Sequence, residues 1–233
     1  MTSFSIKDHR IVLELLVNRA KYLEIFTTYA PAHRFIEAFV GEQSLSFSVK
    51  DEDGSVFAMA LGEDPVILAC DRLATSRDIA VDPELFSYRA KWDFYSIDTL
   101  TFLGGDIGQE SKDNQEIKEL LEKHAPNSSV WPGNEEVLFW GEIRADGGLV
   151  ATGALVKWRT GEVMFASIAT HSDYRGRGLA QQLVREMLAN AAERKIGHVG
   201  LGVFAENIAA KRAYEKVGFS LIGEFTSYQR KDK

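Results

Sequence analysis

Residues 172–183, SDYRGRGLAQQL, decide how this chain is read. They follow an apolar run, VMFASIAT (163–170), and open a pattern in which Leu179, Leu183, Met187 and Ala191 recur every four residues, flanked by Ala180, Val184, Leu188 and Ala192. The run predicts a strand and the pattern a helix over 178–194 with a wide apolar stripe. Two glycines alternate with two arginines at the turn between them. A helix that starts near Gly178 presents unpaired backbone N–H groups and about half a positive charge at its first turn. The glycines let the preceding loop curl so that those donors converge, and Arg175 and Arg177 add charge. Such a turn suits an anion, although an isolated RGRG can also be a flexible basic turn with no ligand.

The neighbouring segments supply a sheet for this turn. EVLFWGEIR (136–144), LVATGALVKWRT (149–160) and VMFASIAT predict three strands joined at Asp146-Gly147-Gly148 and Thr160-Gly161, an antiparallel meander. HVGLGVF (198–204) is a strand reached through the helix, hence parallel to 163–170 by a right-handed crossover. A helix over 207–217 and a closing strand near 219–229 complete a β-β-β-α-β-α-β order. The amino-terminal half is less legible. IVLELLVNRAKYLEIF (11–26) predicts one helix, LSFSV (45–49) and SVFAMAL (55–61) flank the hairpin signal Asp53-Gly54, and PVILAC (65–70) is a third apolar run, read as a further strand. No pattern emerges from 83 to 110, after which NQEIKELLEKHA (114–125) predicts a helix capped by Asn114. PNSSVWPGN (126–134) has the composition of a linker. It sets the expected boundary between an amino-terminal α+β domain over 1–128 and a second domain over 129–233.

Composition narrows the function. The chain has 233 residues, 45% of them apolar, enough for a real core. Its one cysteine, Cys70, permits neither an intrachain disulfide nor a cysteine-built metal cluster, so a buried inert thiol and no metal are expected. With 34 acidic against 27 basic residues the net charge is −7, which argues against a nucleic-acid partner held over a broad basic face. The amino end, MTSFSIKDHR, is charged where a signal peptide is apolar, and no apolar run nears the roughly 18 residues of a membrane span. The expectation is a soluble cytoplasmic protein with no membrane partner.

Thirty-two residues after Arg175 lies NIAAKRAYEKVGF, 207–219. Arg175-x-x-Gly178-x-Ala180 is similar to the Q/R-x-x-G-x-G/A loop of the GNAT acetyltransferase superfamily. The second stretch resembles that family's other signature, with Asn207, Ala210, Tyr214, Gly218 and Phe219 at the matching positions. The resemblance covers about 130–233, and the glycine N-acyltransferase-like branch is the nearest relative it suggests. It implies an α/β (α+β) GNAT fold, a mixed, mostly antiparallel sheet splayed between its two parallel strands. On this view the amino-terminal domain is a degenerate copy of the same fold that has lost the cofactor site, left to cover the acceptor side or to form a homodimer.

Carried over position by position, the resemblance implies that backbone amides of Gly176, Arg177, Gly178, Leu179 and Ala180 grip the pyrophosphate of coenzyme A beside Arg175. Ile168 and Thr170 pair through main chain with the pantetheine arm, and Asn207 and Ala210 touch it from the other side. The splay frees ladder donors and acceptors, which an amide-rich arm satisfies as an inserted strand, and the same N–H groups can stabilise an oxyanion. Tyr214 donates a proton to the departing thiolate. Yet Ala210, Ala213, Tyr214 and Val217 also form an i, i+3, i+4, i+7 stripe, so periodicity alone makes Tyr214 a core residue.

The base position falls on Met164, which cannot accept a proton. Glu162 and Glu142 are the substitutes considered, although carboxylates at such places are more often solvated surface groups; His171 and His198 lie near the splay, where histidines are more often just hydrogen-bonded. Trp131, Trp140 and Trp158 are either sheet core or an aromatic acceptor pocket. The implied activity is transfer of an acetyl or small acyl group from acetyl-CoA to a small-molecule or peptide amine, by direct attack in a ternary complex. The alternative is a non-catalytic protein that binds coenzyme A as a signal, for which Met164 is the best support. A nicotinamide enzyme, suggested by GLGVFA (200–205), is disfavoured because both glycines fall inside a strand.

Overall fold

The computed structural model describes residues 4–102, 105–159 and 161–231. In chain order the elements are α1 (His9–Leu16), α2 (Ala20–Tyr29), β1 (Phe35–Val40), β2 (Ser44–Lys50), β3 (Val56–Gly62), β4 (Arg72–Ser76), β5 (Phe86–Asp98), β6 (Gln109–Ser111), α3 (Asn114–His124), β7 (Val137–Ala145), β8 (Gly148–Lys157), β9 (Val163–Thr170), α4 (Leu179–Glu193), β10 (His198–Phe204), α5 (Ile208–Val217) and β11 (Ser220–Arg230). The strands form one mixed sheet in the order β1-β2-β3-β4-β11-β5-β10-β9-β8-β7-β6. The amino-terminal strands belong to this same sheet.

The chain divides into two compact units, but not at 128/129. One holds the residues up to Asp93 with Phe204–Glu206 and those from Ile222 on; the other holds Phe94–Val203 and Asn207–Leu221. The segment 126–134 has a linker's composition yet packs. Val130 is 1% exposed and shares a core with Ile117, Leu120 and Leu121 of α3 and with Trp140, Ala154, Val156 and Ala169 of the sheet. The helix that the sequence places before the boundary and the proline-rich stretch that spans it both lie inside the second unit.

In that unit the meander β7-β8-β9 is antiparallel, as the turn residues predict, with Asp146 and Gly147 at φ 51° and 81° in the first turn. Thr160 of the second turn lies outside the described residues. Alternate residues of β8 serve two cores. Ala151 and Leu155 meet Leu183, Val184, Met187 and Leu188 of α4 on one face, while Ala154 and Val156 meet α3 on the other. Burial on both faces explains why 149–156 reads as a continuous apolar run. In β10 a Cβ on Gly200 would lie 2.6 Å from Met164 Sδ and 2.8 Å from the Phe94 ring. That glycine serves close packing within a strand, not a nucleotide-binding turn.

In the first unit the hairpin β2-β3 turns at Gly54, φ 86°, with Asp53 accepting from Ser55 N–H at 2.9 Å. β3 and β4 run parallel over four pairs, from Phe57↔Arg72 to Ala60↔Thr75, and Gly62 N–H donates to Ser76 Oγ at 3.1 Å just beyond. Three expectations are corrected. The helix over 11–26 is two helices, α1 and α2, separated at Val17-Asn18-Arg19, where β-branched and amide side chains are poor helix formers. PVILAC is not a strand: Pro65 has no N–H, and Leu68 and Cys70 are buried while Val66 and Ile67 are exposed. Finally, the cap of α3 is Asp113, which accepts from the N–H groups of Gln115 and Glu116, and Asn114 is the first helical residue.

Candidate active site

The parallel strands β9 and β10 pair at two positions only, Gly200↔Met164 and Leu201↔Phe165. β9 runs on to Thr170 against β8, so its other edge is without β10 from Ala166 onward. A bulge drives the parting. Ser167 and Ile168 together stand opposite Gly153, because the register steps from Ala154↔Ala166 to Thr152↔Ala169. Ser167 sits at φ 52°, a left-handed conformation costing a non-glycine residue about 1–2 kcal/mol. Its hydroxyl offsets that cost by accepting from Val130 N–H at 3.0 Å and donating to Val130 C=O at 2.8 Å. A bulge bends its strand and sharpens the local twist, here turning β9 away from β10. Nothing in ASIAT announces it, since the left-handed residue is not a glycine.

At the end of β9 the chain makes a short helical turn, 172–174, and enters α4 through Gly176 and Gly178, at φ 76° and 80°. Gly178 is the N-cap and no side chain caps the helix, so the first amides of α4 are open to an incoming acceptor. A Cβ at either glycine would meet nothing within 4 Å; the backbone conformation selects glycine here, and the space in front stays clear. Both arginines are held. Arg175 donates through Nε to Thr170 C=O at 3.2 Å and through Nη2 to His124 C=O at 3.0 Å. Arg177 donates to Asp173 C=O at 3.0 Å and lies 4.8 Å over the Tyr174 ring. Bonds to carbonyls leave both guanidinium charges uncompensated by them, so a positive loop is set beside the positive end of the helix dipole. Of the two main-chain positions expected to meet a pantetheine arm, Ile168 is partly buried against the α4 core and the Thr170 carbonyl is already engaged by Arg175.

Asn207 caps α5, its carboxamide accepting from Ala210 N–H at 3.2 Å. Tyr214 lies on the inner face of α5, 7% exposed, in the core that contains Ala210, Val217 and Phe219, with the Phe219 ring centroid 6.1 Å away. Tyr214 is thus a core residue, as the periodicity predicts. Burial pushes its phenol well above the usual tyrosine range, so the group holds its proton.

The two carboxylates are not brought to this place. Glu142 is bound by Arg144 at 3.2 Å, whose guanidinium also spans Glu116 at 2.9 and 2.7 Å, on the α3 side of the sheet. Glu162 precedes β9 at its far end, four residues from Ala166, or about 13 Å along an extended strand. Met164, paired with Gly200, occupies the position between them. Trp140 is core, and Trp131 and Trp158 pack against the same cluster. Cys70 is buried in the first unit with its thiol pushed up to about 11. Among the described residues no helix is long and apolar enough to cross a membrane.

Residues 106–219 match the model of the acetyltransferase (GNAT) family. Over 72 residues, 31% of this chain and 23% of the relative, the sequence is 39% identical to the mycothiol acetyltransferase of Corynebacterium aurimucosum. Over 83 residues, 36% of this chain and 53% of the relative, it is 34% identical to an uncharacterized N-acetyltransferase of Mycobacterium bovis. The chain thus spans about a quarter to a half of the length of these curated relatives. Among solved structures, a protein assigned to the GNAT family from Novosphingobium aromaticivorans superposes with a TM-score of 0.54 at 20% identity, covering 81% of this chain and 88% of that one, a likeness of fold. The parted parallel strands, the uncapped helix start behind two left-handed glycines and the family match fall on the same elements. Over residues 106–219, just under half of its length, this chain is similar to the GNAT acetyltransferase family.

Proposed function

We propose that the protein is an N-acetyltransferase that moves an acetyl or small acyl group from acetyl-CoA to an amine by direct attack. The observation that carries this is the edge of β9 that β10 leaves beyond Phe165, leading straight into the open helix start at Gly178. A diphosphate meets the amides of 176–180 and the charge of Arg175 and Arg177. The amide-rich arm of the same molecule lies along β9, where it satisfies the main-chain groups that β10 leaves. Asn207 and Ala210 border the arm from α5. The N–H groups around the bulge point at the thioester oxygen and stabilise its developing charge.

The nitrogen lone pair of the acceptor forms the new C–N bond, the C–S bond breaks, and Tyr214 gives its proton to the leaving sulfur, regaining one from solvent. The acceptor sheds its own proton to water. With Met164 in the base position, the acceptor arrives already neutral. A lysine-type amine near pKa 10.4 needs about 4–5 kcal/mol to deprotonate at pH 7, an α-amine near 8 only about 1.4 kcal/mol. A small-molecule or peptide amine of low pKa is the substrate class this favours.

The second reading, a coenzyme A-binding protein without turnover, is favoured by the same methionine. Calorimetry with acetyl-CoA, followed by thiol release across a panel of α-amines and alkylamines, separates the two. Binding with turnover on α-amines supports the enzyme; binding without turnover on any amine supports the sensor; no heat at millimolar acetyl-CoA removes both.

A further inference from the structure

The carboxy-terminal turn of α3 touches the anion-binding loop at three points. His124, the last residue of α3, accepts the Ser172 N–H on Nδ1 at 3.2 Å. Its carbonyl accepts the Arg175 guanidinium at 3.0 Å. Its ring packs on that of His171, with centroids 4.2 Å apart, and His171 in turn accepts the Asp173 N–H on Nδ1 at 3.3 Å. Both imidazoles serve as acceptors for backbone donors at the first turn of 172–174, and the guanidinium that heads the loop is tied back to the same helix end. On the other flank the Tyr174 hydroxyl donates to Asp146 in the β7–β8 turn. The loop is therefore held from two sides before any ligand arrives.

We propose that His124 is a positioning residue for the coenzyme: the α3 end latches residues 171–178 in the conformation whose amides converge on an anion. This rests on the coenzyme reading given above. A loop held in its binding-competent form forfeits no affinity to its own disorder, whereas a loop that samples other forms weakens apparent binding by the fraction that is competent. The role belongs to the acceptor nitrogen. Asparagine can present an acceptor oxygen from the same helix end, and alanine cannot.

The backbone bond can also be removed from its other end. Ser172 opens a short helical turn after His171, which is extended at ψ 136°, so proline fits there and deletes only the N–H and the exposed hydroxyl contact to Asp173. The two partners then form a cycle. His124→Ala raises the KM for acetyl-CoA about five- to tenfold, the size of one lost hydrogen bond, with kcat within twofold. His124→Asn restores most of it. Ser172→Pro matches His124→Ala, and the double variant is no worse than either single one.

A pH series adds a second readout. Burial, then the neighbouring His171, Lys123 and Arg175, lower the His124 pKa below its ordinary value near 6.5, with Asp173 opposing. A group depressed on folding keeps its contribution above the unfolded pKa and loses it as pH falls. The KM ratio of wild type to His124→Asn should therefore be flat above about pH 6.5 and climb below it. A folded His124→Ala with unchanged KM, additive single variants, or a loss confined to kcat would each overturn the latch while leaving the coenzyme site standing. Wild-type protein that binds no acetyl-CoA overturns both.

Discussion

Both units of this chain set three antiparallel strands beside a fourth that runs parallel to the third, and they finish that parallel pair in opposite ways. β3 and β4 stay together for four pairs, and the Gly62 N–H closes onto Ser76 Oγ beyond them. β9 and β10 separate after two pairs at a left-handed serine whose hydroxyl is bonded to Val130 instead. The connections differ in step. Between β3 and β4 lie residues 63–71, with no helix; between β9 and β10 lies α4 with its open amino end. Unpaired ladder groups and an uncapped helix are each costly unless something comes to meet them. The second unit sets both costs side by side, whereas in the first α2 also starts without a side-chain cap but the parallel pair stays closed, and that pairing of unmet donors and acceptors marks where the cosubstrate is expected.

The widest gap between the two parallel pairs should open under hydrogen exchange. At about 100 times its dissociation constant a ligand adds roughly 2.7 kcal/mol, about a hundredfold slower exchange through openings that release it. Acetyl-CoA is expected to protect the amides of 166–170 and 176–180 on that scale and to leave 57–60 and 72–75 unchanged. Protection of both regions, or of neither, breaks the comparison. Next in size, Tyr214→Phe keeps the packing and removes the proton, so kcat should fall on the order of 10²-fold with the KM for acetyl-CoA unchanged. Undiminished turnover would leave Tyr214 as core alone.

Two serines then sharpen the contrast. Ser167→Ala strands a buried main-chain donor and acceptor of Val130 and should lower stability by about 1–3 kcal/mol and raise the KM as the bulge relaxes. Ser76→Ala should lower the melting temperature by less and leave KM alone. Equal effects on KM would show that the bulge does not shape the site. The smallest effect is in alkali. Because folding raises the Tyr214 pKa, its contribution is complete below the unfolded value near 10 and is lost as pH climbs past it, by about 1.4 kcal/mol per pH unit. The denaturant midpoint of wild type should fall relative to that of Tyr214→Phe over that range, and a constant difference would contradict the burial.

Much of the second unit was legible because its signals are local. Asp146-Gly147 sets a hairpin, the four-residue recurrence from Leu179 sets a helix, and Arg175, Gly178, Asn207 and Tyr214 fall in place along them. The bulge was not legible, since it depends on Val130, 37 residues from Ser167, and on a serine adopting a glycine's conformation. Nor was the fate of Arg175, whose charge shows in sequence while its two carbonyl partners do not. β5 was missed for another reason. FSYRAKWDFYSID alternates poorly in its first half and is buried at five successive positions in its second, so period two never emerges. The boundary at 128/129 followed composition, and a proline-rich stretch that is strapped down by one serine looks, residue by residue, like one that is free.

The position of β11 bears on how the molecule is made. β4 finds its antiparallel neighbour in Phe225–Gln229, so Ser76 waits for Phe225 to be synthesised before that edge is covered. At about 5–20 residues per second on a ribosome, the interval is on the order of ten seconds or more, during which a short strand presents open ladder groups to whatever is near. Nascent chains stalled before residue 225 should be chaperone clients, and release of the last strand should be the event that ends their dependence.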